Sequence, residues 1–324
     1  METHTAAQTT AATRRAPVGS GRLNPLEKLK AMILLGGSVR QNGLPDAIGQ
    51  SVLDLPIQQD LTVLGHWVNQ AGEAAESLGL AELPVRLVID QKAREPGLVS
   101  LGDRVALSVE HDPFDFRGTA GLLRDLTRDY DGQEWVIVAT AGQLLLEPLV
   151  ELVRELVATD GDVGVIAHAD GSPTGLMLVR CDTLESIPDV GFVDMKEQAL
   201  PNIARTRPVR VIERETASAL PLNNRAGYIR AVRLFHLYCA GQNVASDPLS
   251  EDWSSTFSLI EDSESVDDPA QVHDSVVLRG GRVASGAVLV RSIVGSDGVV
   301  EANQTAVDTI VTKQASDRRR NGRS

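Results

Sequence analysis

Aromatic residues and cysteines are scarce in this chain. Phe, Trp and Tyr make up 3% of its 324 residues, although 42% of all residues are hydrophobic. A core must therefore be filled mainly by aliphatic side chains. The two cysteines, Cys181 and Cys239, are too few for a disulfide framework or a CxxC metal site. We expect two reduced core thiols in a cytoplasmic protein.

The chain also lacks long hydrophobic runs and an excess of positive charge. No apolar run approaches the roughly 20 residues that a membrane-spanning helix needs. Residues 1–23 have no hydrophobic centre of the kind found in a secretion signal. The formal net charge of -13 argues against a surface that follows nucleic-acid phosphates, although local basic patches remain possible. We therefore expect no membrane and no nucleic acid as partner.

Short apolar runs that suit buried strands alternate with longer segments of helical spacing. The pattern predicts strands at Ala31–Leu35, Val85–Ile89, Val105–Val109, Trp135–Ala139, Val163–His168 and Gly175–Val179, and helices at Leu61–Leu78, Gly121–Leu126 and Leu145–Ala158. This alternation predicts an α/β fold with a doubly wound, Rossmann-like mixed sheet. Ligands of such sheets bind at the carboxyl ends of strands, where Gly36–Gly37 and the loop after Ala139 fall.

Composition divides the rest of the chain around a main domain at residues 28–245. We expect a disordered tail at 1–24, an acidic linker at 246–270, a repeat domain at 271–312 and a basic tail at 313–324. In the repeat, Val276, Val288, Val294 and Val300 share a six-residue frame, with Val277, Val283 and Leu289 in the neighbouring frame. Small β-branched residues at this period, with interspersed glycines, predict a parallel β-helix of about two coils, built from hexapeptide repeats. An ordinary β-meander is the alternative.

Four motifs and the order of the domains carry a family resemblance. The motifs are the Gly36–Gly37 turn after the first strand, the tetrapeptide Gly118-Thr119-Ala120-Gly121, the corner sequences Asp274–Val277 and Arg291–Gly295 of the repeat, and the segment Gly191–Pro201. With the repeat that follows, they resemble the sugar-phosphate nucleotidyltransferases (NDP-sugar pyrophosphorylases) over residues 28–312. The resemblance implies a nucleotidyltransferase-like fold with a C-terminal left-handed β-helix. It also implies nucleotide binding by Gly36, Gly37, Gly118, Thr119, Ala120 and Gly121.

The family joins a sugar 1-phosphate to the α-phosphate of a nucleoside triphosphate and releases pyrophosphate. The nucleophile is already an anion, so positioning and charge neutralisation supply the rate. The resemblance gives Arg40 the role of the arginine in the glycine-rich loop, and Lys196 that of a further phosphate or sugar-phosphate ligand. A surface ion pair at a helix start is the alternative for Lys196.

The sequence departs from the family pattern where charge and metal are needed. The loop lacks the Gly-Thr pair before Arg40, and no lysine occurs from Gly36 through Gln91. Residues 140–143, Thr-Ala-Gly-Gln, stand where the family has an Asn-Gly-Asp-like turn, and Asn223–Asn224 stand near its later aspartate. Asp194 is the remaining weak candidate for a metal ligand, with a helix N-cap as its alternative.

Three functions follow as hypotheses. The first is a non-catalytic nucleotidyltransferase homologue that binds a nucleotide or nucleotide sugar in a regulatory or scaffolding role. The alternative is an active NDP-sugar pyrophosphorylase of polysaccharide or cell-envelope biosynthesis, for which alone we expect Mg²⁺ as a cofactor. The third is an acyltransferase acting through the β-helix, with His273 as its one histidine. In the first two cases the resemblance implies a homo-oligomer or hetero-assembly formed through the β-helix.

Overall fold

The chain folds around a seven-stranded mixed sheet. The structure, a computed structural model, describes residues 24–37, 43–97, 99–112, 117–240 and 257–313. The strands before residue 240 are β1 (Leu29–Leu35), β2 (Pro56–Gln58), β3 (Leu61–Thr62), β4 (Leu83–Asp90), β5 (Val105–Asp112), β6 (Trp135–Thr140), β7 (Gln143–Leu145), β8 (Val163–His168), β9 (Pro173–Arg180), β10 (Val209–Arg214) and β11 (Ala219–Pro221). The large sheet has the order β10-β8-β9-β6-β1-β4-β5. Its neighbours are parallel except at β9, which is antiparallel to β6 and β8.

Helices cover both faces of this sheet. They are α1 (Leu44–Ile48), α2 (Val63–Ser77), α3 (Gly118–Leu126), α4 (Leu149–Ala158), α5 (Cys181–Leu184), α6 (Leu200–Ile203) and α7 (Arg225–Cys239), with 3-10 turns at Pro25–Lys28, Val52–Asp54 and Ser263–Ser265 and a π-helical turn at Met195–Ala199. Alternate residues of β1 face opposite layers. Met32 and Leu34 belong to the core that contains α2, α4 and α7, whereas Ile33 belongs to the core that contains α3, α5 and α6. The expected α/β alternation is confirmed.

Helix boundaries differ from the sequence expectation where caps or long-range pairing intervene. The Thr62 hydroxyl accepts a hydrogen bond from the Gly65 amide at 3.1 Å, so α2 begins at Val63 instead of Leu61. Leu145 lies in β7, which pairs with β11, and α4 begins only after Pro148. Glu147, expected on that helix, therefore precedes it.

Beyond residue 257 the strands are short and parallel. They are β12 (Ser258–Ile260), β13 (Gln271–His273), β14 (Ser275–Val277), β15 (Arg282–Val283), β16 (Val288–Val290), β17 (Ile293–Val294), β18 (Val299–Val300), β19 (Thr305–Val307) and β20 (Ile310–Val311). They form three parallel sheets, β12-β14-β17-β20, β13-β16-β19 and β15-β18. Residues 257–270, which the sequence places in an exposed linker, already include β12 and its pairing with β14. The meander alternative is wrong, because its neighbouring strands would be antiparallel.

The period of these strands is shorter than three hexapeptides. Gln271 pairs with Val288, and Val288 with Thr305, so each strand meets the one 17 positions later. Two of the three sides keep the six-residue step, and the third is one residue shorter. Asp274, Arg291 and Asp308 occupy equivalent corners on this short side, with φ angles of 44°, 44° and 52°. The six-residue frame read from the sequence therefore slips by one residue in every repeat.

The parallel strands pack against the α/β layer. Val276 and Ile293 are fully buried in the same hydrophobic core as Val232 of α7. At the edge of this contact, Arg225 lies 3.1 Å from the carboxylate of Asp308. The two regions therefore share one core.

The two cysteines differ in environment. Both are free thiols, and Cys181 is buried as expected. Burial, with nearby carboxylates led by Glu134, raises the pKa of the Cys181 thiol to about 12. Cys239 is exposed, so the expectation of a second core thiol is wrong. No helix in the described ranges combines the length and hydrophobicity needed to cross a bilayer.

Candidate functional site at the carboxyl edge of the sheet

The Gly36–Gly37 turn leaves the sheet between two neighbouring strands. The Gly36 amide donates to the Val88 carbonyl at 2.8 Å, and the Ala141 amide donates to the Leu35 carbonyl at 2.9 Å. These bonds hold the turn at the carboxyl ends of β1, β4 and β6, where α/β sheets bind ligands. Arg40, the arginine that the resemblance assigns to phosphate, lies outside the described residues.

Close packing explains both glycines of the turn. A Cβ atom on Gly36 would lie 2.8 Å from the Leu87 side chain, and one on Gly37 would lie 2.6 Å from the Asp90 carboxylate. A larger residue at Gly37 would also lie 2.8 Å from the Asp90 main-chain nitrogen, whereas one at Gly36 would displace the end of the Leu87 side chain. The Asp90 carboxylate therefore rests directly on the turn expected to approach a phosphate.

Two aspartates lie side by side at this edge, and sequence reasoning missed both. Asp90 and Asp112 are register partners at the ends of the parallel strands β4 and β5. Asp112 forms an ion pair of 2.7 Å with Arg117, and both side chains are about 85% buried. Arg117 also contacts Asp125, so it bridges the strand end and helix α3. The sequence pattern shows only that Asp90 directly follows the predicted strand Val85–Ile89, because the predicted strand Val105–Val109 stops three residues before Asp112.

The tetrapeptide Gly118-Thr119-Ala120-Gly121 forms the first turn of α3 and packs against a second segment of the chain, at residues 193–195. Gly118 has a φ of 72°, and a Cβ there would lie 2.3 Å from the Val193 carbonyl oxygen. The Ala120 amide donates to that same carbonyl at 3.1 Å. The Thr119 hydroxyl accepts from the Met195 amide at 3.1 Å. One amide of this helix start is therefore already bonded to protein, while the Thr119 side chain remains exposed.

Asp194 and Lys196 lie on this second segment. The Asp194 carboxylate accepts from the Glu197 amide at 2.8 Å and thereby caps the π-helical turn. The Lys196 ammonium lies 3.7 Å from the Glu197 carboxylate, and its side chain is 56% exposed. Both contacts are local, and exposed pairs of this kind contribute about 0–1 kcal/mol to stability.

The two stretches that would hold metal in the family meet across the sheet edge. The Leu222 amide donates to the Gly142 carbonyl at 3.0 Å, and β7 pairs with β11 beside them. Gly142 offers no side chain, and the side-chain amide oxygen of Asn224 accepts from the Gly227 amide at 2.8 Å to cap α7. In the described part of the chain, no three His, Cys, Asp or Glu side chains gather closely enough to hold a metal ion. These residues do not fit the family's Mg²⁺ site.

Gln143 completes the edge as a neutral polar group. Its side chain is 94% buried, and its amide nitrogen has no hydrogen-bond partner among the described residues. Gly175 packs against the Gln143 side chain and has a φ of 79°. Glycine is needed at this position, because a Cβ there would lie 2.5 Å from the Thr140 hydroxyl oxygen. The carboxyl edge between β6 and β9 is thus lined by glycine, hydroxyl and amide groups.

Comparison with known proteins gives resemblances in fold. No model of a known protein family matches the sequence, and no curated protein matches it. Among solved structures, the chain is similar to a Bacillus anthracis protein provisionally described as a glucose-1-phosphate thymidylyltransferase, solved in complex with a sucrose. The TM-score is 0.48 at 12% identity, over 63% of this chain and 94% of that one.

Two further structures resemble the chain over a similar length. HddC from Yersinia pseudotuberculosis has a TM-score of 0.43 at 11% identity, over 63% of this chain and 99% of that one. The homologue of Mycobacterium tuberculosis rv0371c from Mycobacterium sp. strain JC1 has a TM-score of 0.43 at 15% identity, over 64% of this chain and 96% of that one. Each similarity thus covers nearly all of the other protein and about two thirds of this chain.

Proposed function

We propose that this chain is a sugar-phosphate nucleotidyltransferase homologue that binds a nucleotide or nucleotide sugar without catalysing metal-dependent transfer. One observation carries the proposal. Where the resemblance requires metal-binding carboxylates, the edge holds Gly142 and an Asn224 whose amide oxygen is already bonded. Neutral amides bind Mg²⁺ less well than carboxylates do. The protein is then a cytoplasmic regulatory or scaffolding member of its family.

The glycine turn and the start of α3 supply the ligand contacts in this proposal. The turn at Gly36 and Gly37 presents main chain without side chains to a phosphate, on the side that Leu87 and Asp90 do not fill. Thr119 is an exposed residue at the N-terminus of α3, where the helix dipole favours an anion. Its hydroxyl accepts from the Met195 amide and can still donate its proton to a ligand. Gly118, Ala120 and Gly121 then serve mainly to shape that helix start. The Asp90 carboxylate repels a phosphate bound at the glycine turn. This repulsion favours a ligand whose phosphate carries little charge or lies farther from the turn over a triphosphate.

The parallel strands beyond residue 257 have an assembly role in this proposal. Three parallel sheets with a constant offset of 17 positions support a short left-handed β-helix. Among the described residues, β18, β19 and β20 pair on one edge only, which suits pairing of the other edge with a second copy or another subunit.

The second candidate is the active pyrophosphorylase, and Asp90 is the observation that favours it. Its carboxylate lies against Gly37, and its register partner Asp112 stands on the next strand. Two carboxylates beside a phosphate turn could hold Mg²⁺ in a rearranged geometry. Arg40 and Lys196 would then neutralise the phosphates, and the ion pair of Asp112 with Arg117 would have to open.

Calorimetric titration of the full chain with nucleoside triphosphates and nucleotide sugars separates the candidates. Each ligand is titrated with Mg²⁺ and with EDTA, into the native protein, Asp90→Asn and the control Asp60→Asn, which changes an exposed turn residue. The proposal expects binding in EDTA, tightened several-fold by Asp90→Asn because a repelling charge is removed.

The active enzyme gives the opposite pattern. Binding then requires Mg²⁺ and is abolished by Asp90→Asn. The release of pyrophosphate from a nucleoside triphosphate, which a sugar 1-phosphate drives, vanishes in Arg40→Ala. That pattern overturns the non-catalytic proposal. Failure of every nucleotide and nucleotide sugar to bind overturns both candidates.

A further inference from the structure

One stripe of helix α7 faces the short corners of the parallel strands. Arg225, Ile229 and Arg233 follow one another at four-residue steps, and therefore share one side of the helix. Arg230 lies on the neighbouring row. Opposite them stand Asp274, Arg291 and Asp308, one from each successive repeat. The helix and the corners border a half-open cleft of about 200 Å³.

Positive charge exceeds negative charge in this cleft. Four arginines line it, Arg225, Arg230, Arg233 and Arg291, against two aspartates, Asp274 and Asp308. The chain as a whole carries a formal net charge of -13, so the local excess of two positive charges runs against its overall composition. A cleft that concentrates one sign of charge raises the local concentration of the opposite ion.

The two aspartates do not occupy all of the guanidinium groups. The Asp308 carboxylate accepts two hydrogen bonds from Arg291, of 2.7 and 3.0 Å, and one from Arg225, of 3.1 Å. Asp274 lies 3.8 Å from Arg233, at the outer limit of an ion pair. Arg230 is exposed and has no ion-pair partner within the described ranges. The Arg230 guanidinium therefore remains available to a ligand at the rim of the cleft.

We propose that this cleft binds a small ligand that carries a phosphoryl or pyrophosphoryl group. The planar fork of arginine matches phosphate oxygens and forms short, charge-assisted hydrogen bonds with them. The cleft is smaller than the roughly 300–1,000 Å³ of pockets for drug-sized ligands, which favours a phosphate, pyrophosphate or sugar phosphate. Ala226 and Ile229 give its floor an apolar surface for the remainder of the ligand.

The cleft is separate from the site of the proposed function. Its lining residues come from α7 and from the corners of the parallel strands, and none belongs to the glycine turn or to the ends of β4, β5 and β6. A ligand here would add contacts between α7 and the corners. It would therefore stabilise the junction of the α/β layer with the parallel strands by mass action.

Arg230→Ala is the decisive variant because Arg230 has no ion pair to lose. Sodium pyrophosphate, orthophosphate and glucose 1-phosphate are titrated separately into the full chain, which distinguishes a free anion from a sugar phosphate. We expect at least one to bind, and Arg230→Ala to weaken it about tenfold, the loss of one charge-assisted contact. Arg205→Ala, an exposed arginine that does not line the cleft, is the matched control and should bind as the native protein does.

A second variant, which is expected to strengthen anion binding, controls for a general loss of stability. Asp274→Asn removes a competing negative charge, and asparagine tolerates the φ of 44° at that corner. We expect it to tighten binding of the same anion several-fold, and the anion to slow hydrogen exchange in Arg225–Cys239.

The outcomes keep this inference separate from the proposed function. Equal affinity in Arg230→Ala and Arg205→Ala, no tightening in Asp274→Asn, or no binding of any of the three anions overturns it. Loss of nucleotide binding with this pattern intact overturns only the proposed function. Asp90→Asn should leave the anion affinity of the α7 cleft unchanged.

Discussion

The main-chain amide of Met195 donates a hydrogen bond of 3.1 Å to the hydroxyl of Thr119. This bond joins two segments that carry the family resemblance, 76 residues apart in sequence. The Val193 amide and carbonyl reinforce it, through bonds with Arg117 and Ala120. The start of α3 therefore acts as a clamp for residues 193–195 as well as a candidate ligand site.

Removal of this hydroxyl should destabilise the protein. Thr119→Val keeps the shape of the side chain but leaves the Met195 amide without its acceptor, so we expect the free energy of unfolding to fall by about 1 kcal/mol. Urea unfolding of the native protein, Thr119→Val and Thr119→Ser measures it. Thr119→Ser should restore most of the loss, and equal stability of all three proteins would contradict the clamp.

Gly118→Ala should be far more damaging. Alanine would face a left-handed backbone conformation, which costs roughly 1–2 kcal/mol, and its Cβ would lie 2.3 Å from the Val193 carbonyl oxygen. We expect a total loss of about 3 kcal/mol or more in the free energy of unfolding. Gly102→Ala is the control, because that position has no neighbouring atom within 4 Å and no positive φ. A loss below 1 kcal/mol for Gly118→Ala would show that the segment at Val193 can move away from the start of α3.

The ion pair of Arg86 with Glu110 should make stability depend on pH. Two hydrogen bonds, of 2.7 and 2.8 Å, from Arg86 lower the pKa of the Glu110 carboxyl below its ordinary value. A lowered pKa stabilises the folded state at pH values above the ordinary pKa of about 4.3, and this contribution is lost as the pH falls toward the folded-state pKa.

Glu110→Gln tests this contribution. At pH 7 we expect it to lower the free energy of unfolding by about 1 kcal/mol, because the pair is partly exposed to solvent. Below pH 4 the difference from the native protein should shrink. Urea unfolding at both pH values gives the measurement, and a difference that does not change with pH would contradict the assignment.

The two thiols should differ in reactivity. Cys239 is exposed and Cys181 is buried, with a pKa of about 12. Because the thiolate is the reactive form, iodoacetamide at pH 8 should modify Cys239 alone in the folded protein, and both cysteines in denaturant. Peptide mass spectrometry identifies the sites. Fast modification of Cys181 under native conditions would show that its region opens.

Ser292 should be important for the parallel strands. Its hydroxyl is fully buried, donates to the Val290 carbonyl at 2.8 Å and accepts from the Thr309 amide at 3.1 Å. Ser292→Ala leaves that amide unpaired, and we expect a loss of about 1–2 kcal/mol in stability. Ser285→Ala, which removes one exposed hydroxyl contact, is the control and should cost less than about 0.5 kcal/mol. Equal melting temperatures for the two variants would contradict the role of Ser292.

Local patterns were sufficient for much of the fold. The run Val163–His168 was predicted with the bounds that the structure shows, because a short apolar segment between polar turns has few alternatives as a buried strand. The sequence pattern does not predict the strand Val209–Arg214, because it lies at the sheet edge, where three of its six residues are charged and its Val and Ile residues are partly or fully exposed. Leu145 was assigned to a helix because its pairing with Ala219 spans a distance that no local pattern contains.

The site was harder to predict for the same physical reason. The glycine turn and the tetrapeptide at residue 118 are local, and both were visible in the sequence. The adjacency of Asp90 and Asp112 depends on the register of β4 against β5, which a sequence pattern does not state. The hydrogen bond between the Met195 amide and the Thr119 hydroxyl likewise depends on how distant segments pack. Whether Arg40 contacts a phosphate stays a prediction, because it lies outside the described residues.

The constant offset of the parallel strands restricts how this region can change in length. Because Val288 meets both Gln271 and Thr305 in register, a change in the length of the stacked strands keeps this register when it adds or removes 17 residues. Adding a single hexapeptide side would move every later strand to the next side of the stack and break the column of Asp274, Arg291 and Asp308. The repeating unit of this region is therefore the complete coil of 17 residues, and not the six-residue side.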